Sequence, residues 1–119
     1  MLVVGCGNGN TSLPTAASTT ETFNGTLTPQ GVVSYPVTVA APGEFFLTLV
    51  SLTPQTSITV GLGVGQPVNG VCQLLNAVEN AKVGYLMDLS LDLGAYCVVI
   101  YDIGNVQGSD TFTLSVTHT

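Results

Sequence analysis

Residues 83–93 read VGYLMDLSLDL, and this stretch decides the fold. Tyr85, Met87, Leu89, Leu91 and Leu93 fall on one side of an extended chain, with Asp88, Ser90 and Asp92 on the other. Strand side chains alternate with period two, whereas a helix repeats its apolar face every three to four residues. Wound as a helix, the segment would scatter its leucines around the axis. As a strand it has one dry face and one wet face. The segment therefore predicts a half-buried strand in an antiparallel sheet.

The same period runs outward in both directions. Upstream, ETFNGTLT forms a first strand that ends at Pro29-Gln30-Gly31. GVVSYPVTVAA sets Val33, Tyr35, Val37 and Val39 on one face and Pro36 on the other. Proline removes a ladder donor, so this strand is expected at an edge or bulged. The turn APGE leads into EFFLTLVSL, and TSITVGLGVG places Ile58, Val60, Leu62 and Val64 together. GLGVGQPVNG reads as a flexible hairpin loop, VCQLLNA as a short strand and NAK as a turn. Downstream, GAYCVVIYD is apolar on both faces, as a central strand would be. SDTFTLSVTHT closes the chain with Phe112, Leu114 and Val116 inward. TFNGTLT and TFTLSVT echo one another, which predicts neighbouring terminal strands. About eight strands separated by regular turns, with no convincing helix, define an all-β antiparallel sandwich, jelly-roll-like, over residues 21–119.

Composition narrows the partners. The chain of 119 residues fits one domain. Its hydrophobic fraction is an ordinary 45%, but only 7% of its residues are charged, and one lysine without arginine leaves a net charge of -6. Such a chain has almost nothing to neutralise phosphates with, which argues against nucleic acid. An anionic membrane surface would repel it for the same reason. The polar surface is built from Thr, Ser, Asn, Gln and Gly, a style suited to proteins outside the cell. No window is apolar for long enough to span a bilayer as a helix.

The chain carries three cysteines. Cys72 and Cys97 each sit in a strand-like segment, and a disulfide between them would stabilise the fold by roughly 3 kcal/mol in an oxidising compartment. Two buried free thiols are the alternative. Zinc spacing is absent, and Cys6 is left over.

The order GTLTPQGVVSYPVTVAAPGEFFLTLVSL, then LGAYCVVIYDIGN, then TFTLSVTH resembles the bacterial pre-peptidase C-terminal (PPC) domain family over roughly residues 20–119. The match looks closest to a cysteine-containing branch found in exported proteins of unknown function. The resemblance implies a secreted β-sandwich serving as an accessory module, located outside the cell or on the bacterial cell surface.

Chemistry is sparse. His118 is the sole histidine and stands one residue from the end, where chains fray. No nucleophile elbow, zinc-protease helix or phosphate loop is present, so no catalytic residue is assigned and an enzyme is not expected. Asp102, Asn105 and Asp110 in YDIGNVQGSD are the candidate ligands for calcium, the one cofactor considered, although Asp and Asn are also ordinary turn formers. Asp88 and Asp92 stand about 13 Å apart along a strand, too far to share an ion. Tyr35 and Tyr101 are the aromatic residues with a claim to exposure and to polysaccharide; core packing accounts for the others.

Residues 1–20 form a segment of their own. LVVGC resembles a lipobox, which would make Cys6 the acylated residue of a lipid-anchored surface lipoprotein; membrane association is expected only in that case. The stretch before it lacks a basic start and a full apolar region, so the alternative is an arm. In that reading Leu2, Val3, Val4 and Gly5 add a strand to a sheet or contact a neighbouring subunit, and residues 7–20 are the tether. Long, nearly uncharged strands with one lysine to guard their edges predict a homo-oligomer or filament.

Overall fold

The computed structural model describes residues 17–119. Eight strands follow one another: β1 (Thr19–Leu27), β2 (Val32–Val39), β3 (Gly43–Thr53), β4 (Val60–Val68), β5 (Val71–Ala81), β6 (Leu86–Leu91), β7 (Gly94–Tyr101) and β8 (Asp110–His118). They form two antiparallel four-stranded sheets, ordered β1-β8-β3-β6 and β2-β7-β4-β5. Across the whole domain β1 is matched with β8, β2 with β7, β3 with β6 and β4 with β5. This is a long hairpin, closed at β4–β5 and rolled so that its strand pairs alternate between the two sheets, which is a jelly roll.

The core lies between the sheets. Leu47, Leu49, Phe112, Leu114 and Val116 face Leu62, Val64, Val98 and Ile100, all essentially withdrawn from solvent. Alternation supplies these residues until it is interrupted in β3. There the partner register slips between Leu49 and Ser51, leaving Val50 as an extra, exposed residue. The bulge resets the phase, so Leu52 rather than Ser51 enters the core.

Several expectations meet the structure directly. β2, with Pro36, is an edge strand, β7 is central, and the echoing terminal strands β1 and β8 are neighbours in register from Thr19–His118 to Leu27–Asp110. Two expectations are corrected. The glycine-rich GLGVGQPVNG is not a loop: Gly61 to Val68 belong to β4, and only Asn69-Gly70 turns. Both turn residues have positive φ, 52° and 79°, the type I′ geometry whose twist matches a tight hairpin. VCQLLNA is likewise not a short strand, because β5 continues through NAVENA to Ala81.

The final histidine is the third correction. β8 lies between β1 and β3, so its end is held on both sides. His118 is 6% exposed and packs near Phe45, with ring centroids 6.2 Å apart. Its Nε2 lies 2.6 Å from Glu21 Oε2, and its Nδ1 lies 3.0 Å from the Thr119 oxygen. A central strand cannot fray like an end strand.

Candidate interaction surface

β4 presents its core residues to one side and Gly61, Gly63 and Gly65 to the other. The missing side chains let neighbours lie flat on the outer face of this sheet. A Cβ on Gly61 would run into the Tyr101 ring, and one on Gly63 would meet Leu74 Cδ2 at 2.9 Å. A Cβ on Gly65 would strike the backbone carbonyl of Gln73. The register between β4 and β5 also slips here, with Leu75 as the extra residue between the pairs Val64–Asn76 and Gly65–Leu74. Together the glycine and the bulge fold the end of the β4–β5 hairpin over the sheet.

That fold-over explains the disulfide. Cys72 is on β5 and Cys97 on β7, with β4 between them. Strands two places apart would hold their Cα atoms roughly 9.5 Å apart. Here the two Cα atoms are 5.9 Å apart and the bond is formed. The bridge therefore clasps the hairpin end to the centre of the sheet. Ladder pairing between β4 and β7 stops at Gly65–Cys97, so beyond it Gln66–Gln73 is held by its own pairing and by the bridge. A disulfide of this kind belongs to an oxidising, non-cytoplasmic environment.

Beside the bridge is a shallow cleft of about 350 Å³ lined by Val32, Cys72, Leu74, Glu79, Val99 and Tyr101. The Tyr101 hydroxyl donates to Glu79 Oε2 at 3.2 Å. Burial first, and then the Glu79 hydrogen bond and charge, push this phenol above its ordinary value of 10.0. Apolar side chains continue along the hairpin, where Val68, Val71, Leu74 and Leu75 are 43–66% exposed. No charged residue occurs between Glu44 and Glu79.

Each of the four sheet edges carries some protecting device, and they differ in how much of the strand it covers. On β1, the Tyr35 hydroxyl donates to the Asn24 carbonyl at 3.2 Å while its ring stacks on Phe23 at 4.6 Å. Tyr35 is thus a half-buried clasp between the sheets and not an exposed platform. On β2, Pro36 removes a donor. β6 is six residues long and carries Asp88. β5 is 11 residues long, has no proline, and carries one charge, Glu79. Among the described residues it pairs with β4 alone. Its bulges at Leu75 and near Glu79 break it into short regular runs, the first of which is Val71–Leu74.

A second cleft, about 430 Å³, lies on the opposite sheet among Pro42, Glu44, Phe46, Thr117 and Thr119. Ser90 Oγ donates to Glu44 Oε2 at 3.2 Å, and the neighbouring Asp88 carboxyl is the main reason the Glu44 carboxyl sits above its ordinary value.

The candidate calcium residues meet in one loop but are engaged with protein. Asp102 Oδ2 accepts from the Gln30 amide, and Oδ1 accepts from the amides of Gly104, Asn105 and Val106 at 2.8–3.0 Å. Desolvation raises the Asp102 carboxyl, but the four amides outweigh it and hold the group below 3.8. Each carboxylate oxygen offers about two lone-pair sites, so Oδ1 is saturated by its three donors while Oδ2 accepts one. Asn105 Nδ2 donates to Thr59, and the Gln55 amide donates to Asp110 Oδ1 at 3.1 Å. Asp110 is fully buried, and its Oδ2 meets no donor among the described residues. Among those residues no group of three His, Cys, Asp or Glu side chains is placed to hold a metal ion. Cys6 and Leu2–Gly5 lie outside the described residues.

Fold and surface together define a disulfide-clasped jelly-roll β-sandwich. No family model matches the chain, and no curated protein does. Among solved structures it is similar to the crystal structure of the Yersinia pseudotuberculosis-derived mitogen (YPM), at 15% identity and a TM-score of 0.64. The likeness covers 87% of this chain and 88% of that one, and at this identity it shows the fold.

Proposed function

We propose that the chain is a non-catalytic structural or interaction module of the cell exterior that self-assembles through its sheet edge. The observation carrying this reading is the first run of β5, Val71–Leu74, an uncharged and proline-free length of unpaired sheet edge among the described residues. The disulfide and the hydroxyl-rich strands support an extracellular or bacterial cell-surface location. The PPC-like strand motifs support an accessory role. Residues Leu2 to Gly5 enter this reading as a strand or contact offered to a neighbouring copy, and Cys6 as a lipid anchor is its alternative. Light scattering on the full chain across micromolar concentrations, with electron microscopy of the same material, tests the assembly. Concentration-dependent oligomers or filaments are expected; a monomer at every concentration, salt and pH overturns it.

The alternative is a calcium- or polysaccharide-binding accessory module; for calcium, its central carboxylate Asp102 is already engaged by four backbone amides. Melting should be unchanged between chelator and millimolar calcium. A rise of several degrees would favour the calcium reading instead.

A further inference from the structure

We infer that the contact is the hairpin end itself: residues Val71–Leu75 of β5 pair antiparallel with the same residues of a second copy about a two-fold axis near Gln73. This rests on the self-assembly reading and names its surface. A closed two-fold interface uses one patch twice, so the patch must be self-complementary. Centred on Gln73, the pairing sets Val71 opposite Leu75 of the copy and Gln73 opposite Gln73. Val71 and Leu75 are 66% and 57% exposed.

Charge permits the same place. Each copy carries -6, so two copies repel unless they meet where neither presents an acid. Val71–Leu75 lies within the uncharged stretch between Glu44 and Glu79. By contrast, β6 carries Asp88 and β1 carries Glu21, and the uncharged edge strand β2 lacks a backbone donor at Pro36. The run Val71–Leu74 is regular enough to pair, and the bulge makes Leu75 the last residue of the contact. Pairing would join two four-stranded sheets into one of eight strands. The Cys72–Cys97 bridge fixes the position of the run, since it lies one residue from Val71.

Sedimentation equilibrium of the full chain tests this against the Val71→Lys/Leu75→Lys double variant and a Ser34→Lys control on the β2 edge. The double variant should raise the dissociation constant at least tenfold while the control leaves it unchanged. Equal assembly of wild type and double variant overturns the surface but not the self-assembly; a monomeric wild type overturns both. Loss of assembly on deleting residues 1–12, with the hairpin intact, assigns the contact to the arm and also overturns the surface. Should the double variant misfold, hydrogen exchange on wild type at low and high concentration replaces it. Concentration-dependent protection must then fall on residues 71–75, and protection confined to other strands overturns the proposal. Wild type that stays monomeric in solution but pellets with phosphatidylcholine vesicles would overturn the proposal in favour of a lipid contact.

Discussion

Asp102 shows how much one side chain can hold. Its carboxylate ties the β1–β2 turn, through Gln30, to the loop between β7 and β8. Gln30 is also a non-glycine residue at positive φ, 59°, so this turn leans on an outside partner. Asp102→Asn keeps the shape but puts an NH₂ group against amide donors. Given the solvent access of the site, a loss of about 1–2 kcal/mol is expected in chemical denaturation. The pH dependence has a definite sign. A carboxyl held below 3.8 when folded stabilises the protein fully above that value and loses its contribution as pH falls through the lower, folded value. Wild type should therefore destabilise more steeply in that acid range than Asp102→Asn. Parallel stability curves for the two proteins would contradict this account. At the other end of the sandwich, Glu21→Gln weakens a charge-assisted contact to a nearly buried ring, and a loss of about 1–2 kcal/mol at neutral pH is expected.

Among the elements, β4 is the most exacting. Gly65→Ala places a methyl group against the Gln73 backbone, which cannot move without unpairing the hairpin, whereas Gly61→Ala meets the ring of Tyr101, which can rotate. Overpacking costs about 1–3 kcal/mol, and Gly65→Ala should lie at the upper end with Gly61→Ala below it. Thermal melting of the two variants checks the order. The same strand marks where sequence reading succeeds and fails. Strands with one wet face, such as β6 and β8, declare themselves by alternation, and Pro36 declares an edge. β4 hides because its outer face is glycine, which mimics a loop by composition while serving as a bed for Leu74 and Tyr101. The dipeptide Asn69-Gly70 is a hairpin signal that could have bounded both strands. Pairing of Cys72 with Cys97 was legible as a link between strands, but its passage over β4 depends on a bulge that no local pattern announces. The amide partners of Asp102 come from distant turns and are likewise visible only in the fold.

At the scale of the whole molecule, the bridge encloses a sequence separation of 25 residues, a loop whose closure is worth about 3 kcal/mol. Reduction should lower the melting temperature by about 8–15 °C for a domain of this size without changing its strand content at 25 °C. A reduced protein that melts like the oxidised one would show that the hairpin needs no clasp. The rolled hairpin has another consequence. Thr19 is in register with His118, so the two ends of the domain emerge side by side on one sheet, while the tight Asn69-Gly70 turn holds β4 and β5 together at the opposite extreme of the chain path. A short linker from residue 119 back to residue 19, with the backbone opened between Asn69 and Gly70, should therefore give a circular permutant with the same eight strands. In that permutant the former hairpin strands become the termini, and only the disulfide and the ladder keep them together. The molecule is topologically a closed ribbon, and where its sequence starts is a matter of which joint was left uncut.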